Sequence, residues 1–381
     1  MSSGPSRRTV LLAAAVYITT FATPVLAQHS QAERDLAHGE GLFLSACANC
    51  HGADGTGSPA FLIALPVEPP DFTESSFASR EPKGDWAGVV TMGGPLRGFD
   101  QIMPSFAEAL SRDEIDLILD YMETLYEDKS WPRGEFNIPL ALGTEKAFPE
   151  DEIVLKTTVG TGDIGSIENK IVYENRIGSQ TQIEVVLPVG LQETTDLAGP
   201  TGQWEAGLGD IAIGLKRALF HDLGLGSIVS VTFEAKLPTG DESDGFGKGF
   251  TVFEPFVTYG QLLPLDAFFQ MQAGVELPTR TADAENEGLL RMVLGKTFTA
   301  GGEWGRAFSP MVEFLGKKEL EGGQPSVWDI MPEMQVTLNQ RQHIMANVGV
   351  RIPLTETTGR DPQLLFYILW DWFDGGFFEG W

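Results

Sequence analysis

Residues 227–238 read SIVSVTFEAKLP, and this stretch decides the fold of the larger part of the chain. Val229, Val231, Phe233, Ala235 and Leu237 alternate with Ser230, Thr232, Glu234 and Lys236, the period of a strand with one apolar and one polar face. The pattern recurs in Phe268–Leu277, where Phe269, Met271, Ala273, Val275 and Leu277 alternate with Gln270, Gln272, Gly274 and Glu276. It recurs again in Trp328–Leu338 and in His343–Ile352. About twelve such strands follow one another, starting near residues 152, 167, 181, 209, 227, 250, 267, 288, 308, 327, 343 and 363. Each runs for roughly nine to twelve residues, enough to cross a bilayer at a tilt.

The connections between these strands alternate in length. Gly178–Gln180, His221–Gly226, Leu263–Asp266 and Asn339–Gln342 are short; Gly190–Ala206, Thr239–Gly249, Pro278–Glu287 and Pro353–Asp361 are long and rich in glycine or acidic residues. Only Thr299–Gly305 is intermediate. Short turns on one side and long loops on the other are the habit of an outer-membrane barrel, and an even strand count returns both ends to one side. A soluble β-sandwich also alternates, but its strands are shorter and its turns follow no such rule. The expectation for residues 151–381 is an antiparallel transmembrane β-barrel ending in the aromatic Trp381. Its lumen would carry Glu168, Lys170, Glu174, Arg176, Glu184, Lys216, Glu234, Lys236 and Arg351.

Upstream the chain has a different character. Arg7 and Arg8 precede an apolar run from Val10 to Phe21, and Val25-Leu26-Ala27 ends it, so residues 1–27 read as a signal peptide of an exported bacterial protein. The formal charge of −27 disfavours nucleic acid and favours cations and basic proteins. The chain has only two cysteines, both within Cys47-Ala48-Asn49-Cys50-His51. Two thiols at that spacing followed by histidine form the covalent haem-attachment pattern, with His51 carried to the iron. The alternatives are a disulfide, a redox dithiol or part of a zinc site, and zinc would want further ligands where the four other histidines lie scattered. One haem c is therefore expected.

The frame around this motif, residues 30–128, reads as helical. Ala32–Ala46 carries Leu36, Gly39, Phe43 and Leu44 near helical spacing. Ser111 with Glu114 forms a capping box that opens a helix striped by Ile115, Ile118, Leu119, Met122 and Leu125. The two helices would cross at Gly39/Phe43 and Leu119/Tyr121. The Gly- and Pro-rich stretch Gly52–Pro104 needs a large apolar partner to order it, and should supply the second iron ligand. Met103, followed by Pro104, is the candidate, and Met92 is its competitor. A His/Met pair leaves no open iron position, which favours electron transfer over catalysis. Residues 129–150, with three prolines, two glycines and no period, read as a linker. His221 and His343 fall in a turn and at a strand start, and read as ordinary turn polarity.

Gly39-x-x-x-Phe43, Cys47–Gly52, Asp54-Gly55-x-Gly57, Met103-Pro104-x-Phe106 and the final helix ending in Tyr121-Met122 together resemble a class I c-type cytochrome domain. Leu208-Gly209-Asp210-Ile211-x-Ile213-Gly214-Leu215-Lys216 and Leu237-Pro238-Thr239-Gly240-Asp241 resemble the MetA-type porins of phenol degradation. A haem domain joined to a barrel resembles the fused cytochrome–porins, which implies a multidomain electron-transfer protein of the outer membrane. Its partners would be a periplasmic redox carrier, outer-membrane lipid and an external electron donor or acceptor. The haem domain would lie on the periplasmic side or in the barrel mouth. The rival readings are a porin for small organic compounds carrying a periplasmic cytochrome module, and a cytochrome subunit of a periplasmic oxidoreductase.

Overall fold

The computed structural model describes residues 31–372 except 64, 66–67, 197–198 and 301–303. The expected signal peptide, residues 1–27, and Trp381 lie outside the described residues. No described helix is long and apolar enough to cross a membrane.

The C-terminal part is one antiparallel sheet of fourteen strands: β1 (Glu152–Gly160), β2 (Ser166–Ile177), β3 (Thr181–Asp196), β4 (Gly199–Leu208), β5 (Ala212–Asp222), β6 (Ser227–Lys236), β7 (Val252–Leu263), β8 (Ala267–Pro278), β9 (Glu287–Lys296), β10 (Phe298–Ala300), β11 (Trp304–Glu319), β12 (Val327–Thr337), β13 (Ile344–Pro353) and β14 (Gln363–Asp371). Twelve of them close a ring. β1 pairs β14 from Glu152↔Asp371 to Gly160↔Gln363, and β9 pairs β11 directly. β4 pairs only β3, and β10 lies on β11, so neither belongs to the ring.

The period of two is what closes this sheet into a barrel. Leu155, Ile171, Leu215, Phe233, Phe314 and Ile368 remain exposed on the outer wall, while Glu174, Lys216, Thr232 and Glu313 on the same strands are buried inside. An apolar exterior with polar residues pointing inward is the arrangement of a barrel solvated by lipid. The expected multidomain architecture, an all-helical haem domain followed by a twelve-strand barrel, is the one observed. One long connection is different. Gly190–Ala206, read as a loop, is mostly strand, because β3 and β4 continue their ladder to Asp196↔Gly199. Thr194, Thr195 and Thr201 favour extended backbone, but no face of this hairpin is buried, so it carries no alternation to read.

The helical domain comprises α1 (residues 31–46), α2 (Ala48–His51), α3 (Ala60–Ile63), α4 (Ser75–Ala78), α5 (Lys83–Met92) and α6 (Arg112–Met122). The capping box at Ser111 and Glu114 is formed in both directions. Helices α1 and α6 cross as expected, with the Phe43 and Tyr121 rings 5.4 Å apart. Gly39 permits the approach, since a Cβ there would lie 2.1 Å from the Leu117 carbonyl oxygen. Backbone cannot yield as a side chain does, so Gly39→Ala is expected to cost about 2 kcal/mol or more. The urea midpoint of the far-UV helical signal measures this, because the barrel contributes no long helix.

Residues 129–150 connect the two domains, but they are no exposed tether. From Pro132 to Asp151 most positions are buried, and the segment runs as a re-entrant loop inside the barrel. Apolar side chains anchor it on three sides of the wall. Leu140 and Leu142 pack with Val154, Val172, Met331, Met345 and Leu369. Phe136, Ala147 and Phe148 pack with Ile228, and Ile138 and Ala141 with Phe268, Val293 and Met311. Each buried aromatic or branched side chain contributes about 2 kcal/mol. Gly349 makes room for the loop, since a Cβ there would lie 2.6 Å from Leu142 Cδ1.

Candidate haem site and the filled barrel lumen

Cys47 ends α1 and caps α2, and the short helix carries Cys50 and His51 on from it. Cys47 packs on the core of Phe43, Phe72 and Ile118, while Cys50 is exposed. Burial pushes the Cys47 thiol up to about 11, with the Cys50 thiol beside it adding to the shift. His51 stacks on Phe72 with centroids 4.9 Å apart, and its Nδ1 is buried without a hydrogen-bond partner among the described residues. Burial lowers the His51 pKa and keeps the imidazole neutral, the form that ligates metal.

Met103 is half-buried against Ala87, Val90, Ile115 and Leu119. Its competitor Met92, at the end of α5, is 52% exposed. Phe61 and Leu62 on α3 are 80% and 69% exposed. They follow closely on Ser58, whose N–H donates to the Cys50 carbonyl at 2.9 Å. Large open side chains beside paired thiols and a neutral imidazole form apolar surface of the kind a macrocycle covers. The donor set fits haem.

In the lumen, the loop's backbone is satisfied from all round the wall, as buried polar groups require. Leu142 N–H donates to Glu333 Oε2 at 3.0 Å and Gly143 N–H to Glu313 Oε1 at 2.8 Å. The Thr144 hydroxyl donates to Glu313 Oε2 at 2.6 Å. Gln270 Nε2 and the Tyr367 hydroxyl donate to the carbonyls of Pro139 and Leu140 at 2.8 and 2.7 Å. Arg291 and Arg176 reach the carbonyls of Gly143 and Pro149, each at 2.8 Å. Lys146 is buried between Glu150 and Glu152. Glu313→Ala strips the buried Thr144 hydroxyl and the half-buried Gly143 N–H of their acceptor and is expected to cost about 2 kcal/mol. A lowered temperature of the barrel's heat-dependent gel shift reads this loss.

Above the loop's tip the lumen opens into a vestibule of ≈ 950 Å³, lined by Gly143, Glu145, Lys156, Lys170, Glu184, Glu234, Lys236, Arg351 and others. All nine residues expected in the lumen project inward, some lining the vestibule and Glu174, Arg176 and Lys216 buried beside the loop. Glu145, Glu174 and Glu184 converge within 4.8 Å. Lys156 lies 3.9 Å from Glu145 and Lys216 lies 3.8 Å from Glu174, so lysines balance the group.

The helical domain docks on the short-turn end. Arg80 pairs with Asp151 at 3.2 Å, and the Arg80 and Arg176 guanidinium groups lie 5.9 and 5.3 Å from the Trp131 ring centre. The two turn histidines belong to this junction, contrary to the reading of them as ordinary turn polarity. His343 is buried between Asp371 and Glu81, and His221 Nε2 lies 3.2 Å from the Ser130 carbonyl. No periodicity flags such residues, because Glu81 and Ser130 lie far from them along the chain and outside the barrel strands.

Residues 155–377 match the family described as "Putative MetA-pathway of phenol degradation". The chain belongs to this MetA-pathway family. Residues 34–122 match the family described as "Cytochrome C oxidase, cbb3-type, subunit III", so the MetA-type barrel here carries a cytochrome c domain. Among solved structures the chain is similar to an outer membrane channel from Pseudomonas putida F1, at 10% identity and a TM-score of 0.44 over 61% of this chain and 99% of that one. It is also similar to the KdgM porin, at 8% identity and 0.38 over 58% and 98%. No curated protein matches.

The two stretches that resemble the MetA-type porins meet in one place. Asp210 accepts from the backbone N–H groups of Gly240 and Lys248 at 3.0 and 2.8 Å, and the Thr239 hydroxyl accepts from Ile211 N–H at 2.8 Å. They fix the loop 239–249 over the vestibule, where Phe246 fits against Gly190 and Gly207. In the MetA-type barrel these motifs shape the mouth.

Proposed function

We propose that this cytochrome–porin fusion is an outer-membrane electron-transfer protein, passing single electrons between a periplasmic carrier and an external redox partner. Haem c supplies a one-electron iron couple when bound. Cys47 and Cys50 would tether one such group, and His51 and Met103 would fill both axial positions. With no vacant position the iron exchanges electrons rather than activating a ligand. The orientation that suits this reading has the short turns and the helical domain in the periplasm.

The filled lumen carries the proposal. A diffusion porin needs a water path, and residues 133–151 replace that path with packed side chains and satisfied hydrogen bonds. The vestibule still admits small redox species as far as Gly143. Glu333, which holds the loop tip, lies four residues from Thr337 at the end of β12. The filled zone therefore extends at least about 13 Å along the strand.

The family match and the vestibule favour a second reading, a porin for small organic compounds in which the loop is a removable stopper. Intact cells treated with a membrane-impermeant reductant separate the two. Rapid appearance of the reduced haem c spectrum supports electron transfer. A haem that stays oxidised until the outer membrane is broken sinks it.

A further inference from the structure

We propose that the barrel turn between β12 and β13, residues 339–342, is a positioning element for the haem domain's methionine ligand, with Gln340 and Arg341 acting through the loop 94–99. The inference rests on the reading of Met103 as an axial ligand. Gln340 Nε2 donates to the Pro95 carbonyl at 2.9 Å, and the Arg341 guanidinium lies 4.7 Å from the centre of the Phe99 ring. Gly98 between them has φ 70°, and a Cβ there would already be 3.7 Å from Gln340 Oε1.

The gripped loop holds Met103 in turn. Phe99 N–H donates to Gly94 O at 3.0 Å, Gly94 N–H donates to Met103 O at 3.0 Å, and Met103 N–H reaches Asp100 O at 3.4 Å. At Gly94 a Cβ would lie 2.3 Å from the Asp100 carbonyl and 3.3 Å from the Met103 Cβ. The barrel thus grips Pro95, the neighbour of Gly94 and so one hydrogen bond from the Met103 backbone, and Phe99, two hydrogen bonds from it. Arg97, buried against Asp85, ties the same loop to α5.

The turn itself is held firmly. Gln342 has φ 68°, an uncommon conformation for a residue with a side chain. Asn339 Oδ1 accepts from both His343 N–H and Ile344 N–H at 2.9 Å, and Gln342 Oε1 accepts from Arg306 N–H at 2.9 Å. Sparsely populated backbone conformations persist where surrounding contacts over-determine them, and they mark sites at which geometry matters. A thioether is a weak, neutral ligand. The fraction of time it stays on iron depends on how many other conformations its loop can adopt, and a competing ligand measures that fraction directly. The barrel removes those conformations.

The test uses the full-length haem-loaded protein in detergent and follows ferric-haem binding of imidazole, which displaces the thioether. Gln340→Ala with Arg341→Ala is expected to raise imidazole affinity about tenfold, as the competing bound state loses population. The same variant should weaken the far-red thioether-to-iron absorption and lower the midpoint potential. Phe99→Leu, made on the other side of the contact, should move the same readouts in the same direction while leaving the turn intact. Heat-modifiable mobility checks that each barrel is folded. Wild-type affinity and potential in both folded variants would overturn the positioning role. Met103→Ala tests the underlying ligand separately: if the far-red absorption persists there, the ligand reading itself fails.

Discussion

Replacing residues 134–150 by a short glycine–serine bridge turns the closed barrel into an open one, with single-channel conductance in planar bilayers rising more than about tenfold. The bridge can be short because both ends of the loop leave at the same place. Arg176 stacks near Trp131 and also donates to the Pro149 carbonyl, so the two ends share one side chain. The wall should survive the excision, since the ladders from β1 to β14 contain none of the removed residues. What the wall loses is its lining. Val154, Val172, Met331, Met345 and Leu369 face inward and would meet water. Exposing several apolar side chains at about 1–2 kcal/mol each lowers barrel stability as well as opening it. Conductance unchanged by the excision would mean that the outer loops, and not this segment, close the pore.

The second large effect is on the haem domain. Cys47→Ala with Cys50→Ala should leave no haem bound after denaturation and extraction, and reduction of haem in whole cells by the impermeant donor should fall to background. Met103→Ala should behave differently. The haem stays attached, but the sixth iron position opens, and the reduced protein takes up carbon monoxide where the wild type does not. Uptake of carbon monoxide by the wild type would show that the iron is not closed by the thioether. Retention of haem by the double cysteine variant would overturn the attachment.

Strand positions could be read because a barrel wall has two different solvents, one on each face, and Phe233 next to Glu234 records both. The loop 133–151 could not be read that way. It meets wall on every side, so its apolar residues follow no period, and its three prolines and two glycines from Trp131 to Glu150 look like those of a tether. Two signals were nevertheless present. Phe136, Ile138, Leu140, Leu142 and Phe148 are too apolar for an exposed connection. Val172, Met331 and Met345 stand on the polar side of their strands, where a water-filled lumen would not want them. At the haem site the chemistry of Cys47, Cys50 and His51 is local, so adjacency in sequence carries it. The grip of Gln340 and Arg341 on the loop preceding Met103 spans some 240 positions, since Gln340 and Pro95 are 245 apart, and no local pattern encodes it.

The loop enters and leaves the barrel by the same end, so it is not threaded. A steady pull on the haem domain, away from the membrane, would peel residues 131–151 out of the ring without unzipping any strand. The tether so released would lengthen by on the order of 70 Å. A docked domain that can be tugged and a cork that needs no cutting make the assembly, in mechanical terms, a bottle with its stopper on a cord.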